Sequence, residues 1–188
     1  MEERRYLMST GNILIVTQDE DAESPDNWNN DECFLVYDHR DFCVERDGFD
    51  PEAINDYMQD EENVLYDKYH IFPVYAYIHS GTRLSLAHNG DRFDTSMKGF
   101  MLIRKEDADT TVTRNLEEAE TIAKSIIRDW NTYLSGDIYK FKLIKEITCK
   151  ECGHTTEEFI DSCGGFYGDN INTNGILDDI EGTIVKEL

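Results

Sequence analysis

The stretch from Ile138 to Asp169 constrains this chain most. Tyr139, Phe141 and Leu143 alternate with Lys140 and Lys142, the two-residue period of a strand with one apolar face. A tight Cys149-Lys150-Glu151-Cys152-Gly153-His154 turn follows, and then a second run rich in Thr, Phe and Ile. This pattern predicts a long β-hairpin whose tip is a cysteine turn.

The tip is the one motif with metal-ligand spacing. Two thiolates separated by two residues can occupy two corners of a zinc tetrahedron, and a glycine after the second cysteine lets backbone amides reach the sulfurs. Cys149, Cys152 and His154 are therefore candidate ligands of a structural zinc, the one cofactor the sequence suggests. Cys163 sits too far along the second strand, about 30 Å from the tip at the rise of an extended chain. It reads as a small residue at a strand exit. A hairpin tip is not the helix N-terminus that a redox Cys-x-x-Cys uses.

The remaining strands and helices follow from periodicity. Residues 12–17, 33–39, 71–79, 83–88 and 100–103 read as strands, with a hairpin turn at Ser80-Gly81-Thr82 and polar loops at 18–32 and 89–99. Asp50 and Pro51 open a short helix over about 51–60. Residues 115–134 form the clearest helix, with Asn115 as its cap, Gly136 after its end and Trp130 in its apolar stripe. The tail over 174–188 has near-helical spacing of Ile176, Leu177, Ile180, Ile184 and Val185. We find no repeat and no linker. The expectation is a single α+β domain over residues 1–188, with a mainly antiparallel sheet packed against one long amphipathic helix and a protruding hairpin tipped by the cysteine turn.

Charge is the strongest compositional signal. Forty acidic residues against eighteen basic give −22. Residues 1–70 hold 20 acids and 5 bases, or −15, and residues 71–188 hold 20 and 13, or −7. Such a field repels nucleic acid and anionic membranes and speeds encounter with a basic surface. The candidate partner-binding residues are Asp19, Glu20, Asp21, Glu23 and Asp26 in the polar loop, with Asp56, Asp60, Glu61 and Glu62 in or beside the short helix. Trp28, within the loop, reads as an anchor to the core.

Other functions have thinner support. No glycine-rich phosphate loop, nucleophile elbow or basic aromatic stripe is present. A non-enzymatic role is the first expectation. The alternative is an enzyme or small-ligand binder with a pocket near His79, Ser80, Asp94 and Asp161, which fall at strand ends and loops. Five cysteines argue against a disulfide framework, and no apolar run has the length of a membrane span or signal core. The expected location is the cytoplasm of the cell that makes the protein.

Several segments carry a resemblance. They are Gly11-Asn12-Ile13-Leu14-Ile15, Tyr75-Ala76-Tyr77-Ile78-His79-Ser80-Gly81, Phe93-Asp94-Thr95-Ser96 leading to Gly99-Phe100, Tyr133-Leu134-Ser135-Gly136-Asp137-Ile138-Tyr139, and Asp161-Ser162-Cys163-Gly164-Gly165-Phe166-Tyr167-Gly168-Asp169. Together these resemble a family of small uncharacterised acidic proteins of phages and prophages of Gram-positive hosts. The resemblance implies a setting, a phage gene product in the host bacterial cytoplasm, and no established activity. Acidic phage proteins of this size resemble DNA mimics that block host defence proteins. The expected partner is thus a basic host protein, such as a DNA- or RNA-binding defence protein, rather than nucleic acid or membrane.

Overall fold

The computed structural model describes residues 3–28, 32–40, 42–46, 49, 50, 53, 56, 64–79, 81–88, 90, 94–105 and 115–188. In chain order the strands are β1 (Arg4–Met8), β2 (Ile13–Gln18), β3 (Cys33–His39), β4 (Phe42–Val44), β5 (Tyr69–Ile78), β6 (Thr82–Ser85), β7 (Thr95–Arg104), β8 (Ile138–Thr148), β9 (Thr155–Tyr167) and β10 (Ile184–Glu187). The helices are α1 (Val64–Lys68) and α2 (Leu116–Ser135). The chain divides into two compact units, Met1–Glu23 with Gly136–Leu188, and Ser24–Ser135.

The first unit holds a five-stranded antiparallel sheet in the order β10-β1-β2-β8-β9. Strand β2 is buried on both faces because its apolar run does not alternate with polar residues. Leu14 and Val16 join Met8, Phe141 and Leu143 in one cluster with Ile171, Ile176 and Ile180 of the C-terminal segment. Ile13, Ile15 and Ile144 cluster separately. Each such side chain contributes about 1.5–3 kcal/mol on leaving water.

The second unit holds another five-stranded antiparallel sheet, ordered β4-β3-β7-β5-β6. Helix α2 places Ala119, Ala123, Ile127 and Trp130 against Leu35, Val74, Ala76, Leu84 and Met101. Its start is capped as expected, the Glu118 amide donating to Asn115 Oδ1 at 2.9 Å. Asn131 ties the helix to edge strand β6: it accepts the Leu84 amide at 2.7 Å and donates to the Leu84 carbonyl at 2.9 Å. A second cluster groups Phe34, Val36, Phe100 and Leu102 with Phe49, Leu65, Tyr69 and Ile71.

The expected fold class needs correction. The chain is mainly antiparallel β in two sheets, and the long helix found among the described residues packs on the second sheet. It is not an α+β domain built on one sheet and one long helix. Two local expectations also change. The C-terminal segment is not a helix, because Gly175 and Gly182 adopt positive φ and leave a three-residue 3-10 turn at Ile176–Asp178 followed by β10. The polar loop over 89–99 gives way to strand at Thr95. The helix expected over about 51–60 lies largely outside the described residues; Ala53 and Asp56 are helical.

Candidate functional site

The acidic segment after β2 is anchored through Asp19. Its side chain is only 9 % exposed and lies 3.4 Å from Lys140 Nζ. The Gly165 amide donates to Asp19 Oδ2 at 3.0 Å, and the Asp21 amide donates to Oδ1 at 3.3 Å. Gly164 is what makes room: a Cβ there would collide with the Asp19 carboxylate. Downstream, Tyr167 Oη donates to the Glu23 carbonyl at 3.4 Å. Between these ties Glu20, Asp21 and Glu23 face solvent, Asp21 being 94 % exposed. Lys140 reaches Asp21 at 3.7 Å as well.

Of the other candidate acids, Asp26 and Asp56 lie in the second unit. Asp26 is the second residue of a 3-10 turn, Pro25–Trp28, and pairs with Arg46 Nη2 at 3.3 Å. Asp56 is exposed. Asp60, Glu61 and Glu62 lie outside the described residues. Trp28 departs from its expected role as a core anchor, since it is 49 % exposed.

The hairpin forms as its alternation predicts, with Thr148 opposite Thr155 at the tip and Phe141 opposite Cys163 far from it. Pairing with β2 ends at Ile144, so residues 145–158 continue as a two-stranded arm that is exposed throughout. At the tip the Cys149 amide donates to the His154 carbonyl at 2.8 Å, and the Gly153 amide to the Cys149 carbonyl at 2.9 Å. Gly153 has φ +72°, which the turn requires. The Cys149 thiol titrates below its ordinary value, chiefly because the Cys152 amide points at its sulfur, with the Glu151 amide and the Cys152 thiol adding to this. Both cysteines are reduced and exposed. No group of three or more metal-ligating side chains is found among the described residues. In contrast, burial first and Glu32 second push the Cys33 thiol up to about 11.

Of the pocket candidates, His79 and Asp94 come together, Nδ1 to Oδ2 at 3.6 Å. Ser80 lies outside the described residues. Asp161 belongs to the first unit, on β9, where its Oδ1 accepts the Ser162 amide at 2.8 Å. A cleft among the described residues of the second unit is lined by neighbours of the His79–Asp94 pair rather than by His79 or Asp94 themselves. It encloses about 420 Å³ and is lined by Tyr75, Tyr77, Arg83, Ser85, Thr95 and Asn131, among others. Tyr77 pairs with both Arg83 and Thr95 across the sheet, which carries these groups to one place.

Lys140, Gly164 and Gly165 were not among the sequence candidates. Their role depends on a contact between distant segments that no local pattern signals. The tyrosines did leave a trace, since Tyr75 and Tyr77 are two residues apart on one strand and so share a face. No family model, curated protein or solved structure matches the chain. Among the described residues no helix is long and apolar enough to cross a membrane.

Proposed function

We propose that the chain is a non-enzymatic inhibitor, made by a phage in the cytoplasm of its bacterial host, that covers the basic surface of a nucleic-acid-binding or defence protein with its acidic N-terminal segment. One observation carries this reading: Asp19 is used up as an anchor, and Glu20, Asp21 and Glu23 are thereby held toward solvent on a tethered segment. Tethered carboxylates lose less freedom on binding than a floppy acidic tail would. Duplex DNA presents a charge about every 1.7 Å, and a row of carboxylates competes for the same cations. The net charge of −22 supplies the long-range attraction. Exposed Trp28, two residues past Asp26, has the chemistry of an interface hot spot. The phage setting rests on the resemblance alone.

The test is a pull-down from host lysate at low and moderate salt, followed by competition with duplex DNA. The reading expects a basic protein that is retained at low salt, weakens with salt and is displaced by DNA. A partner that ignores both salt and DNA contradicts it.

A second reading has one observation in its favour. The cleft lined by Tyr75, Tyr77 and Arg83 combines two aromatic faces with a cation, a set suited to a small planar anionic ligand.

A further inference from the structure

The hairpin tip offers half of a tetrahedral metal site. We propose that the tips of two copies of this chain close around one zinc ion, with Cys149 and Cys152 of each copy supplying its four sulfur ligands.

The tip is already shaped for this. Gly153, at φ +72°, closes the turn, which is held by the Cys149 amide on the His154 carbonyl at 2.8 Å and by the Gly153 amide on the Cys149 carbonyl at 2.9 Å, so both cysteines sit on one fixed, exposed loop. Thiolates favour zinc over the hard divalent cations, and a structural zinc takes four ligands. One chain does not supply four here. No third His, Cys, Asp or Glu joins the two sulfurs among the described residues, and Cys163 is held opposite Phe141, far from the tip.

A second copy completes the set with no new chemistry, because a two-fold contact places the same patch on both sides. The arm favours the approach. Residues 145–158 are exposed and carry no third strand among the described residues. The ten residues 147–156 hold one Lys and one Glu and sum to zero, whereas the whole arm 145–158 holds two Lys and four Glu, or −2, so the tip is the least repulsive part of the arm for a second copy to approach. Ile147, 46 % exposed, adds apolar surface beside the contact. Binding exchanges four thiol protons for one Zn²⁺, leaving a four-thiolate centre of charge −2. Lys150 and Glu151 of each copy both lie between its two cysteines and cancel, so the centre keeps that charge. This inference stands apart from the proposed inhibitor role and survives its failure.

The experiment uses the full chain, reduced and freed of metal by a chelator, then titrated with zinc chloride during sedimentation velocity. The expected result is a monomer that doubles in mass and saturates at about one zinc per two chains, reversed by chelator. Cobalt in place of zinc should give the intense absorption of a tetrahedral four-sulfur site. Cys149→Ser with Cys152→Ser should stay monomeric at every zinc level, with an unchanged melting temperature, because the tip is exposed. His154→Ala and the Cys43→Ala/Cys163→Ala pair should dimerise like the parent. Saturation at about one zinc per chain without a change in mass, a dimer that forms without metal, no uptake at all, or loss of dimerisation in His154→Ala each overturns the proposal.

Discussion

Gly165 donates its amide to the Asp19 carboxylate at 3.0 Å across 146 positions of sequence. That bond, with Lys140 at 3.4 Å, seats the start of the acidic segment against the base of the β8–β9 hairpin. It also divides the acids by role: Asp19 holds the segment, and Glu20, Asp21 and Glu23 present it.

The seat is testable by a double-mutant cycle. Gly164→Ala should cost about 0.5–1.5 kcal/mol, because its methyl group displaces the Asp19 carboxylate from its exposed bond to the Gly165 amide. Asp19→Ala should cost about 0.5–1.5 kcal/mol, the net worth of an exposed hydrogen bond whose acceptor water can replace. The double variant should lose less than the two together, since removing Asp19 frees the space. Denaturant melts give all three values, and strict additivity would mean that the two residues do not share a site.

The two tryptophans should separate cleanly. Trp130 is 3 % exposed and meets the Tyr133 ring edge-on at 6.0 Å. Trp130→Ala should lose about 3–5 kcal/mol. Trp28→Ala should cost less than about 1 kcal/mol in stability, as an exposed position does, while weakening partner capture. Equal losses from the two substitutions would contradict their burial.

Much of this was legible in local pattern. The hairpin, helix α2 with its Asn115 cap, and strands β2, β3 and β5 follow from alternation, spacing and punctuation. Three things were not. Strand β1, Arg-Arg-Tyr-Leu-Met, is short and charged, and only its pairing with β2 on one side and β10 on the other makes it a strand. The tail repeats apolar residues at helical intervals, but two glycines of positive φ divide it. The split into two sheets depends on which strands pair, and β2 finds its partner β8 beyond the whole second unit. Nothing local specifies that choice, so the single-sheet reading had no internal contradiction. The site shows the same limit. Asp19 looked like its acidic neighbours because Gly164 and Gly165, which seat it, lie at the far end of the chain.

Asp129 gives a pH-dependent prediction. Burial raises its pKa above the ordinary 3.8, and the Arg128 guanidinium at 3.5 Å only partly offsets this. The folded state therefore holds the proton more tightly than the unfolded chain does. The associated stability is complete below pH 3.8 and is lost as the pH rises through the raised value. At pH 7 the partly buried carboxylate is therefore a burden on the folded state. Asp129→Asn should melt above the parent at pH 7, and the gap should close as the pH falls below 3.8. A gap that is negative or independent of pH contradicts this.

The central claim is that the exposed acids of a tethered segment draw in a basic partner. Its most direct test is the association rate of the captured partner with the parent protein and with Glu20→Gln/Asp21→Asn/Glu23→Gln, measured across a salt series. Asp19 is kept, so its bonds to Gly165 and Lys140 survive, and the charge removed is that of three exposed acids, one of which, Asp21, also lies 3.7 Å from Lys140. The account predicts about tenfold slower association at low salt and a shallower salt slope, with the melting temperature unchanged or slightly raised. The same rate and the same slope in both proteins would show that the acids do not guide binding.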